Sequence, residues 1–203
     1  MARRKQVTTT TATTNLILFF QSVLQLKSIK RAGWTSKAKI SDPESVSDHI
    51  YAMCAISMIL SDVLGLDTER VMKMVILHDL AESIIGDYMP GEITKEKKQL
   101  EERKAMNFIL SQIPVITRSN YKKIWQEYKV NRTDVAKFVH KVDKLEMALQ
   151  AIQYIKEGYS NRSLIQFFDS ARRSLSNYEH DNKVYDNDPI VEILNTLKQS
   201  LTK

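Results

Sequence analysis

Apolar residues recur at three- and four-residue steps along most of this chain, from Leu16, Phe19, Phe20, Val23 and Leu24 near its start to the stripe in VEILNTLKQSL near its end. That is the period of an α-helix with one buried face, and no stretch alternates at the two-residue period of a half-buried strand. Gly and Pro, which most often interrupt helices, number only 5 and 4. The pattern predicts an all-α fold, a compact helical bundle.

Asn15 is placed to cap a first helix that ends near Lys27. In SDPES, Ser41 or Asp42 can accept from free backbone N–H groups, Pro43 suits a first turn and Glu44 favours the positive helix end. A second helix is predicted from there through Val46, Ile50, Met53, Ile56 and Leu60 to Leu64-Gly65. Asp67 opens a third, which carries Val71, Met74, Val75 and Leu77 and runs to about Ile85 before Gly86. Further helices are predicted near residues 94–112, 117–129, 133–157, 161–176 and 189–201. The polar stretches GDYMPGEI (86–93) and NYEHDNKVYDND (177–188) read as loops, the first placed to rim a pocket. No repeat or linker interrupts residues 15–203, so these form one domain. Residues 1–14 are basic, rich in Thr and free of acid; they read as a disordered tail, with a mitochondrial presequence as the other reading.

A chain of 203 residues with 43% hydrophobic content can fill one core without disulfides. Its single cysteine, Cys54, lies in the apolar run YAMCAISMIL and reads as a packed thiol. That usage fits a reducing compartment, so a cytoplasmic location is expected, with the mitochondrion and nucleus left open. The net charge of +6 suggests an acidic partner, but Arg3, Arg4 and Lys5 carry half of it and the rest is mixed with acids, as in TKEKKQLEERK. No nucleic-acid partner is expected from so diffuse a charge. Nor is a membrane: no run approaches the roughly 20 apolar residues of a spanning helix, and LILFFQSVLQL is broken by Gln21, Ser22 and Gln25.

The chemistry concentrates in VILHDLAESIIGD, where His78, Asp79, Glu82 and Asp87 occupy a helix that otherwise looks built for a core. A second His-Asp pair, His180-Asp181, sits among polar neighbours and reads as an ordinary loop feature. On one continuous helix His78 and Glu82 lie a turn apart, and Asp79 lies three residues before Glu82, so all three border one cavity. Burying a lone carboxylate is strongly unfavourable, and a metal ion is the simplest cationic partner for Asp79. His49, flanked by Val46, Ile50 and Met53, projects from or near the buried stripe of the preceding helix; antiparallel packing would bring it to His78. The candidate fourth ligand is Asp143, on a helix whose stripe includes Val139, Val142, Leu145, Leu149 and Ile152. Its neighbours Lys141 and Lys144 are expected to point elsewhere, and no Lys or Arg stands one turn away. Taken singly, each residue also has an ordinary reading, as a hydrogen-bonded core histidine or a solvated acid. His140 reads as structural or exposed.

The order His49, His78-Asp79, Asp143 resembles the H…HD…D signature of the HD-domain metal-dependent phosphohydrolases. Within that superfamily, RAGW (31–34), PESVSDHIYAM (43–53), LHDLAESIIGD (77–87) and KVDKLEMALQA (141–151) resemble the HD-domain 5′-deoxynucleotidases, the YfbR-like group and its eukaryotic relatives. The resemblance implies an HD-domain helical bundle in which His49, His78, Asp79 and Asp143 bind a divalent cation. This mixed N/O set suits Mn²⁺, Co²⁺, Fe²⁺ or Mg²⁺ and also admits Zn²⁺. It further implies that Glu82 handles protons, that Asp87 is a second acid near sugar and phosphate, and that Arg31 and Trp34 contact the nucleotide. Some bacterial members place Arg directly before Trp, where this chain has Gly33. The implied activity is hydrolysis of 2′-deoxyribonucleoside 5′-monophosphates to deoxynucleoside and phosphate. The competing readings are an HD phosphohydrolase acting on a triphosphate, cyclic nucleotide or alarmone, and a non-catalytic helical nucleic-acid-binding protein. A homodimer is expected by analogy with small members of the superfamily, with VEILNTLKQSL serving either as its interface or as a cover for the core.

Overall fold

The computed structural model describes residues 15–89, 91–181 and 188–201, apart from the side chains of residues 161, 175–181, 200 and 201. The chain folds into α1 (Asn15–Gln25), α2 (Val46–Val63), α3 (Thr68–His78), α4 (Glu82–Ile85), α5 (Lys95–Ser111), α6 (Val115–Val130), α7 (Asp134–Lys156), α8 (Asn161–Asp181) and α9 (Pro189–Leu201). A single π turn, Trp34–Ala38, follows α1. Among the described residues no β-strand forms, only an isolated antiparallel bridge between Lys30 and Ser45. The all-α expectation holds, and the disordered tail expected over residues 1–14 lies outside the described residues.

The bundle is arranged around α7, which packs against α2, α3, α6, α8 and α9. Its sequence explains why: Ala136, Phe138, Val139, Val142, Leu145, Ala148, Ala151 and Ile152 cover most of its circumference and all are buried. A helix apolar nearly all round is stable only when surrounded. The main core joins these residues to Met53 of α2, Met74 and Val75 of α3, Ile109 of α5 and Ile124 of α6. Cys54 packs half-buried against this core as expected. A smaller cluster, Trp34, Ala38, Ile40, Ala151, Tyr154 and Leu164, fastens the π turn to α7 and α8.

Several boundaries differ from the sequence reading. Helix α2 starts at Val46 rather than in SDPES, because Ser45 and Asp48 form a reciprocal capping box: Asp48 N–H donates to Ser45 Oγ at 3.1 Å and Ser45 N–H donates to Asp48 Oδ2 at 2.9 Å. Glu44 stays outside the helix, its carbonyl accepting from Arg31 N–H at 3.0 Å. Asp67 caps α3 as expected, but that helix ends at His78 instead of Ile85. From Leu80 onward the bonds tighten to three-residue spacing (Leu80 N–H to Leu77 O, Glu82 N–H to Asp79 O, Ser83 N–H to Leu80 O), which separates α4 from α3. Helix α8 continues to Asp181, so residues 177–181 of the expected loop are helical; NYEHD holds no Pro or Gly to stop it. Residues 182–187 of that loop, and the side chains of His180 and Asp181, lie outside the described set.

Helix α9 turns Ile190 and Leu194 into the core, with Ile193 and Leu197 packed against it, so its apolar side covers the bundle. Contrary to the sequence reading, one described helix reaches the length and apolarity of a membrane span: α2, with 18 residues at mean hydropathy 1.2. It nevertheless carries His49 at its centre-facing side and packs on α3 and α7. Ile109→Ala, which empties a fully buried position of the main core, is expected to cost about 2–5 kcal/mol of unfolding free energy, measured by urea denaturation.

Candidate metal centre and substrate cleft

Helices α2, α3 and α7 meet where the ionisable residues interrupt their apolar stripes. His49 on α2 is fully buried and His78, the last residue of α3, is 5% exposed; their ring centroids lie 5.6 Å apart. Donor atoms of His49, His78 and Asp79 all fall within 4.8 Å of one another. Asp79 Oδ2 is 3.0 Å from His78 Nε2, and Asp143 Oδ1, from α7, is 3.4 Å from His49 Nε2. The break after His78 matters here: Asp79 occupies the C-cap of α3 rather than a continuous helix face.

The two imidazoles are oriented from behind. His78 Nδ1–H donates to Val75 O at 2.6 Å, and His49 Nδ1–H donates to Glu146 Oε2 at 2.5 Å. Both Nε2 atoms are buried without a hydrogen-bond partner. An unsatisfied buried polar atom costs about 1–3 kcal/mol, so a pair of them facing two carboxylates describes a place for a cation. Two nitrogen and two carboxylate donors suit a divalent ion of borderline or hard character, and the His78–Asp79 and His49–Asp143 separations of 3.0 and 3.4 Å fit neighbouring donors with metal–ligand bonds of roughly 2.0–2.2 Å. The residues present therefore fit such an ion.

Electrostatics point the same way. Burial and the Arg31 charge disfavour a second proton on His49, yet the adjacent Asp143 and Glu146 carboxylates outweigh them and lift its pKa to about 9. The pocket thus draws positive charge, and a divalent cation competes with that proton for Nε2. Burial works against ionised Asp79, but His78 and Arg31 hold it well below the usual carboxylate range. For Asp143 burial is likewise overcome, here by Lys144 and His49. Glu82 behaves oppositely: burial, then Asp79 and Asp87, push its carboxyl well above the ordinary value, and its Oε2 has no partner.

A cleft of about 420 Å³ opens beside this centre, lined by Arg31, Trp34, Asp87, Lys144, Phe167 and Arg173 among others. Arg31 Nη1 donates to Asp79 Oδ2 at 3.3 Å, so the guanidinium stands between centre and cleft. It is delivered by the extended segment that pairs with the start of α2. Asp87 lies just beyond α4, and its Oδ2 accepts from Ala32 N–H at 2.8 Å. Trp34 borders the cleft but is only 2% exposed, packed at 4.4 Å between centroids on Phe167, with Nε1 donating to Glu44 Oε1 at 2.8 Å. Its position is that of a wall element.

Residues 23–181 match the HD domain family model. The chain belongs to the HD domain family. It is 37% identical over 157 residues to the human protein named 5′-deoxynucleotidase HDDC2, covering 77% of this chain and 76% of that one. The crystal structure of PH0347 protein from Pyrococcus horikoshii OT3 superposes with TM-score 0.68 at 31% identity, covering 90% of this chain and 98% of that one. An HD-domain phosphohydrolase from Listeria innocua shares the fold at TM-score 0.63 and 20% identity, covering 92% and 98%.

The HD domain also contains site residues that sequence reasoning missed. Lys144 does not point away: its Nζ donates to Asp143 Oδ2 at 2.9 Å, because a long flexible stem lets a residue adjacent in sequence fold back. Glu146 lies three residues after Asp143, on the same face of α7. Asking why an acid interrupts an apolar stripe, as was asked of Asp79, would have found it. Tyr128 packs edge-on against His78 at 5.5 Å and stacks on His140 at 4.1 Å, while His140 Nε2–H donates to Tyr128 O. His140 is therefore structural. Asp79→Ala is expected to weaken Mn²⁺ or Co²⁺ binding well beyond the roughly 10–100-fold that loss of a supporting contact costs. Titration calorimetry on metal-stripped protein tests this, and unchanged affinity would remove Asp79 from the ligand set.

Proposed function

We propose that this protein hydrolyses 2′-deoxyribonucleoside 5′-monophosphates to deoxynucleoside and phosphate, with His49, His78, Asp79 and Asp143 holding the required divalent cation. The observation that carries the reading is the pair of orphaned, converging Nε2 atoms beside two low-pKa carboxylates at the edge of a cationic cleft. Further support comes from the relatives, which are named as 5′-deoxynucleotidases. The N/O donor set suits Mn²⁺, Co²⁺, Fe²⁺ or Mg²⁺, with Zn²⁺ also admissible.

When bound, the cation supplies Lewis-acid polarisation of a phosphoryl oxygen and lowers the pKa of water at the site. The chain's own residues do the rest. Arg31 and Lys144 present fixed positive charge to the phosphate from the cleft wall, while their contacts to Asp79 and Asp143 keep them in place. A water oxygen forms the new bond to phosphorus as the bond from phosphorus to the 5′ oxygen breaks, and the water's proton ends on that leaving oxygen. Glu82, whose carboxyl burial and the Asp79 and Asp87 charges push well above the ordinary value, exchanges a proton in that transfer. Asp87 lies in the cleft wall, where it meets the sugar and the departing oxygen. Trp34 and Phe167 form the apolar side against which the nucleoside rests.

Phosphate release from paired deoxy- and ribonucleoside monophosphates over a panel of divalent ions is the deciding assay. The expected product is orthophosphate, with a higher kcat/KM for the deoxy member of each pair. Release of pyrophosphate or triphosphate from nucleoside triphosphates, without monophosphate turnover, would replace this reading by that of a triphosphohydrolase. Glu82→Gln is expected to lower turnover by about 10²-fold or more while leaving metal affinity in place. Parallel loss of the metal would instead make Glu82 a ligand.

A further inference from the structure

We propose that Glu146 is a positioning residue for the metal centre, locking His49 in the tautomer whose Nε2 lone pair faces the cation. The inference rests on the metal-centre reading above and adds a residue to it. Glu146 is 2% exposed, on the turn of α7 that also carries Asp143, and its Oε2 accepts from His49 Nδ1–H at 2.5 Å across 97 residues of chain. The ring thus lies between side chains three residues apart on one rigid helix: Glu146 behind it, bonded to Nδ1, and Asp143 in front, with Oδ1 3.4 Å from the unbonded Nε2.

His49 has little freedom to find another acceptor. It is fully buried, and the other carboxylate near its ring, Glu44, already receives the indole N–H of Trp34 at 2.8 Å. His78, by contrast, obtains the same orientation from the carbonyl of Val75, three residues back in its own helix. The two positions differ in their helices: α3 ends at His78 and the Asp79 N–H turns to Leu77 O, which leaves Val75 O open to the ring, whereas the carbonyl three residues before His49, that of Val46, lies inside α2, which runs on to Val63. A side chain from α7 replaces the local carbonyl. A carboxylate acceptor also strengthens the donor power of the opposite nitrogen more than a carbonyl does, since it stabilises positive charge developing on the ring. Lys144 acts in parallel on the neighbouring ligand, bonding Asp143 Oδ2 and leaving Oδ1 toward His49. One turn of α7 thereby supplies a ligand, the cation that orients it and the acceptor that orients a second ligand.

The test uses the full-length protein, metal-stripped and then titrated with Co²⁺ followed by visible absorbance, as wild type, Glu146→Gln and Glu146→Ala. Glu146→Ala is expected to weaken Co²⁺ binding roughly 10–100-fold, and Glu146→Gln, whose amide oxygen still accepts from Nδ1–H, to lose less than Glu146→Ala. Imidazole ¹⁵N–¹H spectra of the Zn²⁺-loaded wild type are expected to show His49 with its proton on Nδ1, and that proton is expected to move upfield in Glu146→Gln as the carboxylate acceptor is lost, a change that a purely space-filling role would not produce. Wild-type binding with Glu146→Ala within twofold of it would overturn the proposal, as would equal losses in the two variants. So would a wild-type spectrum with the His49 proton on Nε2, which decides the matter even if Glu146→Ala does not fold. Should the wild type itself bind no Co²⁺, the metal-centre reading fails first, and the role of Glu146 falls with it.

Discussion

Lone pairs and carboxylates placed where water is scarce must be given a positive partner, and the interior of this bundle is organised by that demand. His49, His78, Asp79 and Asp143 converge from α2, α3 and α7, and their surroundings supply Arg31 and Lys144 but leave both Nε2 atoms unmatched. Such an arrangement is unfavourable as a piece of core and favourable as a cation site. The packing that surrounds α7 stabilises the fold against the strain of assembling these groups.

The elements divide the work by stiffness. His49, Asp143 and Glu146 project from the interiors of two helices that pack on each other, so their relative positions are fixed by the core itself. Asp79, Glu82, Asp87 and Arg31 sit at helix ends or in the segments between them. The buried His49–Asp143–Glu146 group is therefore rigidly placed, while the cleft side is built from connecting backbone that can be re-aimed without disturbing the core. The antiparallel bridge at Lys30 and Ser45 joins the two, because it sets the reach of Arg31 from the same point that caps the helix carrying His49.

Glu82 and Asp79 illustrate how one environment yields opposite outcomes. Both are carboxylates withdrawn from water, but Asp79 has His78 and Arg31 against it and is held well below the usual carboxylate range, whereas Asp79 and Asp87 add to burial in pushing Glu82 well above it. Two acids separated in this way are suited to different tasks, one to hold charge and one to move it.

Helix content and the acidic cluster around His78 were legible in the chain because both are local. A repeat of three and four residues encodes a buried face directly, and His78 and Asp79 stand out by interrupting it, whereas His49 and Asp143 read singly as ordinary groups and were picked out by the ordered motifs of a family resemblance. The segment predicted at 133–157 is α7 to within a residue or so at either end. What the tertiary structure alone decided are the choices among locally equivalent options. SDPES offered several caps, and the box with Asp48 selected Ser45; the 67–85 pattern ran unbroken, yet the chain tightened after His78. The same holds for partners: Arg31 with Asp79, Ala32 with Asp87 and His49 with Glu146 are separated by 48, 55 and 97 residues. Periodicity states which side of a helix faces inward, but not which residue of another helix it will meet there, since that depends on how the whole set of surfaces packs.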